Sequence, residues 1–213
     1  MIGLVLAAAG TGSRFGSDTP KQFLPLEGKP LYLHALEHFS SFFEAAVIVL
    51  PEGWEEKVEN QVQSLSYRDK LILENGGPRR QDSVYQGLNR LGKDIEMVLV
   101  HDAARPFIST ELISTVIEQT RQHQACVPVL PVRDTLKEVS DGRIVRTIDR
   151  EGLNLVQTPQ GFEINLLKRA FQQAIQDGFY GTDEATLVER LGSPVHVVTG
   201  ESSNLKVTCK EDL

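Results

Sequence analysis

The chain has 213 residues, of which 40% are hydrophobic and 24% are charged, and these proportions are ordinary for a globular domain. Its formal net charge of −7 argues against a nucleic-acid backbone or an anionic membrane surface as the main partner. A few locally placed cations can still hold a small anion. No stretch approaches the roughly 20 apolar residues of a membrane-spanning helix, and the two cysteines form no CxxC pair. We therefore expect one soluble, cytoplasmic domain.

Short apolar runs of strand length recur along the chain. They are IGLVLAA (2–8), AAVIVL (45–50), KLILE (70–74), EMVLV (96–100) and CVPVL (126–130). These runs are mostly continuous rather than alternating, which is typical of strands that are covered on both faces. The stretches between them have helical spacing. The sequence therefore predicts an α/β fold with a mainly parallel sheet covered by helices on both faces.

Apolar spacing and capping residues predict several helices. One stripe consists of Tyr32, Leu36, Phe39 and Phe43. Another helix is predicted after Ser109 and Thr110, either of which can cap it; its apolar face consists of Leu112, Ile113, Val116 and Ile117. Two more are predicted over residues 162–177 and from about Thr182 onwards.

The pattern changes in residues 132–150, which are polar and alternate in hydropathy. Asp141-Gly142 lies near the middle of this segment, and Asp-Gly between alternating runs is a strong hairpin signal. The two strands carry too few apolar residues to form a core alone. From the residues alone, two interpretations are open: an arm that packs on another subunit, or a solvated edge hairpin of the same domain.

A glycine-rich stretch, LAAAGTGSRFGSDTPKQF (6–23), directly follows the first predicted strand. Such loops bring backbone amides close to phosphates. Phe15 stands where both the dinucleotide fingerprint and the Walker loop require glycine, so neither template fits. Arg14 and Lys21 provide two cations, which suit a triphosphate whose charge redistributes during reaction. The alternative is a glycine-rich turn with two surface cations.

Asp102 follows the apolar run MVLVH, at the carboxyl end of a predicted parallel strand. Ligands of open α/β sheets bind at this edge. A carboxylate beside a triphosphate is a good ligand for Mg²⁺, which prefers carboxylate and phosphate oxygens. The alternative interpretation is a turn former or a helix cap.

Seven segments carry a resemblance that spans nearly the whole chain in the expected order. Besides the glycine-rich stretch they are GGPRRQDSV (76–84), HDAARPF (101–107), LPVRDTLKEV (130–139), QTPQGF (157–162), TDEATLVE (182–189) and NLKVTCKEDL (204–213). Together they resemble the 2-C-methyl-D-erythritol 4-phosphate cytidylyltransferases of the non-mevalonate isoprenoid pathway. The resemblance implies a single Rossmann-like nucleotidyltransferase domain over residues 1–213, with residues 132–150 as a protruding dimerisation arm.

The reaction implied by this resemblance transfers CMP from CTP to methylerythritol phosphate and releases pyrophosphate. Arg14 and Lys21 would stabilise the transferring α-phosphate, and Asp102 would hold Mg²⁺. The resemblance implies nucleotide binding by Ala8, Ala9, Gly10, Gly12, Gly77, Ser83, Asp102 and Ala103. For the second substrate it points to Arg105, Thr158 and Lys206 in the same subunit, and to Thr135 and Arg150 from a partner. It therefore favours the arm interpretation and a homodimer.

One departure from the family pattern concerns the metal. Some members place an aspartate shortly before the Asn-Ile-Lys segment, whereas this chain has Ser202 and Ser203, with Glu201 nearby. A second protein ligand for the metal is therefore open. The closest alternative function is a cytidylyltransferase for ribitol 5-phosphate. An inactive nucleotide-binding module is disfavoured because Arg14, Lys21 and Asp102 are all present.

Overall fold

The computed structural model describes residues 1–10 and 19–212. In chain order its strands are β1 (Ile2–Ala7), β2 (Pro25–Leu26), β3 (Lys29–Pro30), β4 (Ala45–Leu50), β5 (Leu71–Asn75), β6 (Met97–Asp102), β7 (Ala125–Pro131), β8 (Leu136–Ser140), β9 (Arg143–Ile148), β10 (Asn154–Val156), β11 (Gln160–Glu163) and β12 (His196–Thr199). Its α-helices are α1 (Leu31–Phe39), α2 (Glu55–Val62), α3 (Arg80–Arg90), α4 (Thr110–His123), α5 (Ile164–Gln176) and α6 (Glu184–Arg190).

The five apolar runs form β1, β4, β5, β6 and β7, as the sequence predicts. Four of these strands are parallel neighbours in the order β5-β4-β1-β6. Their carboxyl ends therefore lie at one edge of the sheet. Because both faces are covered, strand residues alternate between two cores: Leu4 and Leu6 belong to one and Val5 to the other.

Helices cover the sheet on both faces, which confirms the predicted architecture. The core on one face takes buried residues from α1, α2 and α4. The core on the other face takes them from α3, α5 and α6. The sequence prediction needs adjustment at Phe43, which is buried in the first core but lies beyond the end of α1 at Phe39.

Strand β11 has no counterpart among the elements predicted from the sequence. It lies antiparallel between β6 and β7, whereas residues from Phe162 onwards are predicted as helix. The prediction is wrong at its start: Phe162 belongs to β11, and α5 begins at Ile164. The strand has only four residues, and Phe162 is its one large apolar side chain, so the sequence carries no strand signal. The inserted strand brings the segment before it to the end of β6.

Strands β8 and β9 form the predicted hairpin and, among the described strands, pair only with each other. Asp141 and Gly142 both have positive φ, 51° and 75°, as the two central residues of a type I′ turn require. Nearly every residue of the two strands is exposed. Elsewhere, no helix in the described ranges is long and apolar enough to cross a membrane.

Candidate active site

A cavity of about 510 Å³ lies at the carboxyl edge of the parallel strands. Its walls include the residues that follow β1, β4 and β5, together with Asp102 at the end of β6. The segment after β5 is held against its neighbour because the Gly76 N–H donates to the carbonyl of Leu50, at 2.7 Å. The cavity therefore occupies the place where open α/β sheets bind ligands.

Two glycines form one wall of the cavity because there is no space for a side chain. A Cβ added at Gly76 would lie 2.3 Å from the Cβ of Ala9, and one at Gly77 would lie 2.5 Å from the Cβ of Asp82. Ser83, in the first turn of α3, accepts a hydrogen bond from the Gly77 N–H at 3.1 Å and donates one to the carbonyl of Arg79 at 3.0 Å. At these two positions the wall is therefore made of backbone alone, which leaves room for a ligand to approach it closely.

Lys21 lines the cavity from a short 3₁₀ turn, Lys21–Phe23, that is anchored on both sides. The buried amide of Gln22 donates to the carbonyls of Ala8 and Gly10, the latter at 2.8 Å, and so ties the turn to the backbone that follows β1. Phe23 stacks on Trp54, with ring centroids 4.0 Å apart and an interplanar angle of 13°. These contacts fix the backbone that carries the Lys21 side chain.

The described side chains that line the cavity include four cations and two carboxylates. The cations are Lys21, Arg79, Arg80 and Lys206, and the carboxylates are Glu52 and Asp102. The cavity is therefore locally cationic in a chain whose net charge is −7. This charge balance favours a polyanionic ligand such as a triphosphate.

The carboxylate of Asp102 is held by two of these cations. The Arg80 Nε lies 3.1 Å from its Oδ1, and the Lys206 Nζ lies 2.6 Å from its Oδ2. Burial alone would raise the pKa of Asp102, but the charges of Arg80 and Lys206 outweigh burial and hold the pKa well below its ordinary range. Asp102 is therefore ionised at any physiological pH.

Behind Arg80, outside the cavity lining, lies a second carboxylate. Glu184, the first residue of α6, accepts hydrogen bonds from the Arg80 Nη1 at 2.7 Å and from its Nη2 at 3.0 Å. Its exposed fraction is 1%. Burial raises the pKa of Glu184, and the guanidinium of Arg80 opposes this effect. Arg80 thus bridges a buried carboxylate and the carboxylate in the cavity.

The backbone of Asp102 is fixed by a buried polar chain. Its N–H donates to the Thr158 Oγ1 at 3.1 Å, and the same hydroxyl lies 3.0 Å from the His101 Nδ1. The His101 Nε2 contacts the carbonyl of Arg105 at 3.1 Å, and since a carbonyl only accepts, this nitrogen carries the proton. Burial lowers the pKa of His101 to about 4, so the ring is neutral at pH 7. Thr158 reaches this position because β11 is inserted beside β6.

Lys206 is presented by a segment that Asn204 anchors. The fully buried Asn204 donates from Nδ2 to the backbone carbonyl of Thr158 at 2.8 Å. The backbone carbonyl of Asn204 accepts from the Arg105 Nη1 at 2.7 Å. On the other side of Lys206, the Val207 N–H donates to the carbonyl of Ala104 at 2.8 Å. The lysine is therefore held between two fixed points.

The structure brings seven of the predicted site residues together around the cavity: Ala9, Gly10, Lys21, Gly77, Ser83, Asp102 and Lys206. Four others are buried or half-buried and do not line it: Ala8, Ala103, Arg105 and Thr158. Two are exposed and belong to the arm, residues 132–150: Thr135 and Arg150. The remaining two lie outside the described residues: Gly12 and Arg14.

Ala8 and Ala103 use their backbone N–H groups within the sheet edge. The Ala8 N–H donates to the carbonyl of Val49 at 2.9 Å, and the Ala103 N–H donates to that of Ala7 at 3.1 Å. Both side chains are buried. What the structure shows for these two residues is close packing below the cavity, and their predicted contact with a nucleotide stays a prediction.

The residues that shape the site but are absent from the set predicted from the sequence include Gln22, Arg80 and Glu184. All three lie in segments that carry the family resemblance, PKQF, GGPRRQDSV and TDEATLVE. The pattern that could have indicated Arg80 as a site residue is the glycine pair after a predicted strand, which is followed closely by Arg79 and Arg80. The partnership between Arg80 and Glu184 joins residues 104 positions apart, and spacing does not reveal it.

The cavity offers Mg²⁺ a hard oxygen ligand in Asp102. No group of three or more His, Cys, Asp or Glu side chains that could hold a metal occurs within residues 1–10 and 19–212. Glu201 does not line the cavity, and its carboxylate accepts from the Ser109 hydroxyl at 2.6 Å. One carboxylate together with phosphate oxygens and water is a common way to bind Mg²⁺. The donor set therefore fits an ion brought in with a nucleotide.

A parallel sheet with a glycine-walled, cationic cavity at its carboxyl edge is typical of α/β proteins that bind phosphorylated ligands. The chain belongs to the 2-C-methyl-D-erythritol 4-phosphate cytidylyltransferase (IspD) family, whose profile matches residues 2–213.

Relatives of the same name are similar over nearly their whole length. The protein from Symbiobacterium thermophilum is 42% identical, covering 99% of this chain and 89% of its own. The Bacillus cereus protein is 40% identical, covering 100% and 95%. The crystal structure of the Thermus thermophilus enzyme has a TM-score of 0.83 and 36% identity, covering 98% of this chain and 93% of its own.

Proposed function

We propose that the cavity at the ends of β1, β4, β5 and β6 is where this cytidylyltransferase binds CTP. As a member of its family, the chain transfers CMP from CTP to 2-C-methyl-D-erythritol 4-phosphate, giving 4-diphosphocytidyl-2-C-methyl-D-erythritol and pyrophosphate. Ribitol 5-phosphate as the acceptor is not favoured, because the family and the relatives carry the methylerythritol phosphate name. The observation that carries the site assignment is the cationic lining of a glycine-walled cavity.

The chemistry needs charge stabilisation more than proton transfer. The acceptor phosphate is already an anion, so it attacks the α-phosphorus without a general base, and pyrophosphate leaves on the opposite side. Negative charge accumulates on the α-phosphate oxygens and the leaving group, where fixed cations are most effective. The position of Lys21 on the anchored turn in the cavity lining supports its assignment to this role. Arg14 is the second cation of this proposal and lies outside the described residues.

Asp102 is the residue that would hold Mg²⁺ together with the nucleotide phosphates. When bound, the ion supplies Lewis-acid stabilisation of the phosphate oxygens. Activity should then require free Mg²⁺ and be abolished by excess EDTA in the wild type. An Asp102→Asn variant should lose activity at every Mg²⁺ concentration, and full activity of this variant would contradict the assignment.

For the second substrate, Lys206 is the predicted ligand that lines the cavity, and Arg105 and Thr158 both hydrogen-bond to Asn204, two residues before it. Thr135 and Arg150 do not line the cavity of their own chain. We assign them to the site of a partner subunit, in a homodimer formed through the arm. Exposed apolar residues support this assignment, since a hairpin in water would not be expected to present them: they are Val139, Ile144 and Val145 on the hairpin and Leu155 and Val156 on β10.

The function is tested by pyrophosphate release with CTP and Mg²⁺, comparing methylerythritol phosphate with ribitol 5-phosphate. Release with the first acceptor and little with the second is the expected result. Lys21→Ala should lower kcat by about 10²–10³-fold, the range for removing one transition-state donor. Its control is Lys93→Ala, an exposed lysine that does not line the cavity. No release with methylerythritol phosphate would refute the proposal.

The shared site is tested by subunit mixing. Arg150→Ala chains and Lys21→Ala chains are each expected to be inactive. In a mixed dimer one of the two sites receives both wild-type residues, so mixing should restore part of the activity. Mixed dimers that form and remain inactive would exclude the assignment of Arg150 to the partner's site. A cytoplasmic location stays a prediction.

A further inference from the structure

We propose that Glu184 is a positioning residue for nucleotide binding, which acts by holding the guanidinium of Arg80 in a fixed orientation at the wall of the cavity. The inference rests on the proposed function, because it takes the cavity to be the CTP site. Glu184 does not line the cavity, whereas Arg80 does. Glu184 is therefore not placed to contact a ligand in the cavity directly, whereas Arg80 is.

The contact between the two residues is a fork against a carboxylate. The Arg80 Nη1 and Nη2 donate to the two separate oxygens of Glu184, at 2.7 and 3.0 Å. Such a bidentate pair fixes the plane of the guanidinium as well as its position. The third donor nitrogen, Nε, then faces Asp102 Oδ1 at 3.1 Å. All three nitrogens of Arg80 are used, and Glu184 uses two of them.

Lys206 provides a contrast within the same cavity. It reaches Asp102 through a single Nζ contact at 2.6 Å and its side chain is 38% exposed. An ammonium on a flexible stem with one such contact is free to follow a ligand that competes for Asp102. Arg80 keeps its place when Asp102 is engaged elsewhere, since Glu184 continues to hold it. Arg80 is thus the fixed cation of this wall.

The energetics of burial favour a functional reason for the pair. A buried ion pair is weak evidence for stability, because the desolvation of both charges offsets their attraction. Replacing such a pair by apolar side chains of similar size often leaves a fold equally stable. The start of α6 also has other anchors that do not need Glu184. Asp183 caps the helix by accepting from the Thr186 N–H at 3.0 Å, and Gln160 accepts from the Ala185 N–H at 3.1 Å. The charge of Glu184 is therefore not required to hold the helix.

The test is a double-substitution cycle on CTP affinity, measured by isothermal titration calorimetry in Mg²⁺ and in EDTA. Glu184→Gln is isosteric and removes the charge. Arg80→Lys keeps a cation at the wall but has no fork to hold. We expect each single variant to raise the Kd for CTP about tenfold, the lower end of the effects of removing supporting partners. The double variant should bind no more weakly than Arg80→Lys alone, and the KM for the acceptor should not change.

Two controls separate positioning from fold effects. Glu189→Gln changes an exposed carboxylate on the same helix and should leave the Kd unchanged. Asp183→Ala removes the side-chain cap of α6 and should lower the melting temperature with little effect on the Kd.

The inference is overturned if Glu184→Gln binds CTP as tightly as the wild type. It is also overturned if Glu184→Gln weakens binding equally in the wild-type and Arg80→Lys backgrounds. If Glu184→Gln does not fold, Arg80→Lys decides: a tenfold loss supports the inference and an unchanged Kd contradicts it. A wild-type protein that does not bind CTP would refute the proposed function itself, which is a separate outcome.

Discussion

Substitution of Gly76 by alanine tests whether the glycine wall of the cavity is as tight as the structure indicates. The added methyl would lie 2.3 Å from the Cβ of Ala9, 2.8 Å from the Ser83 Oγ and 3.3 Å from the carbonyl oxygen of Leu50. These neighbours come from three separate segments of the chain: the residues after β1, the start of α3 and the end of β4. The methyl cannot be accommodated by turning a single flexible side chain, because a Cβ and a carbonyl oxygen both follow the backbone.

The expected cost follows from this geometry. Carbon atoms pack at roughly 3.5–4.0 Å, so the backbones that carry Ala9 and Gly76 would have to separate by more than about 1 Å. Overpacking of this kind typically lowers the free energy of unfolding by about 1–3 kcal/mol. For a chain of this size, that corresponds to a melting temperature lowered by roughly 2–12 °C. The same movement should widen the wall and weaken CTP binding.

The assay is thermal unfolding by circular dichroism, together with CTP titration of the folded protein. Gly92→Ala is the matched control, since a Cβ there has no neighbour within 4 Å. It should be neutral or slightly stabilising, because alanine reduces the entropy of the unfolded chain. If Gly76→Ala melts within a degree of Gly92→Ala and binds CTP normally, the reasoning from a tight wall is refuted.

Three further outcomes are expected. Gln22→Ala removes both hydrogen bonds that tie the Lys21 turn to the backbone after β1. It should lower the free energy of unfolding by about 1–3 kcal/mol in a denaturant titration that follows the fluorescence of Trp54, the only tryptophan. An unchanged midpoint would show that these hydrogen bonds do not anchor the turn. Cys126 is buried, and burial raises the pKa of its thiol to about 11, whereas Cys209 is exposed. A thiol reagent at pH 7.5 should therefore label Cys209 alone in the folded protein, as counted by mass spectrometry. Rapid labelling of both cysteines would contradict this. Ile144→Asp places a charge on an exposed apolar residue of the hairpin and should shift the protein from dimer to monomer in light scattering, whereas a monomeric wild type would rule out the arm interface.

The sequence predicts the parallel half of the sheet well for a physical reason. Strands that are covered on both faces are almost uniformly apolar, and such runs stand out in a chain with 24% charged residues. Strand β11 has no such signal. Gln160 is buried there because its amide is satisfied by Asp183 and by the Ala185 N–H, contacts that exist only in the folded chain.

The site divides in the same way. A residue at a strand end, such as Asp102, can be located from the sequence because it ends an apolar run. The groups that hold the site come from remote segments: Gln22 turns back on β1, and Glu184 reaches Arg80 from α6. Patterns of local spacing contain no information on such pairs. The roles of Thr135 and Arg150 came from family resemblance alone, whereas Arg14 was also predicted as a cation of the glycine-rich stretch. All three roles stay predictions.

The position of β11 also sets an order in which the sheet can be completed. The strands β1, β4, β5 and β6 all lie within the first 102 residues and can pair as soon as they are made. Strand β7 pairs with β10, β11 and β12, all of which follow it in the chain. On a growing polypeptide, β7 therefore has no sheet neighbour until about 25 more residues have emerged, because β7 ends at Pro131 and β10 spans Asn154–Val156. The pairing of β6 with β11 has to close a loop of nearly 60 residues. The end of β6 and Thr158 meet only after that closure, so the cavity at the end of β6 is expected to be among the last parts of the protein to form.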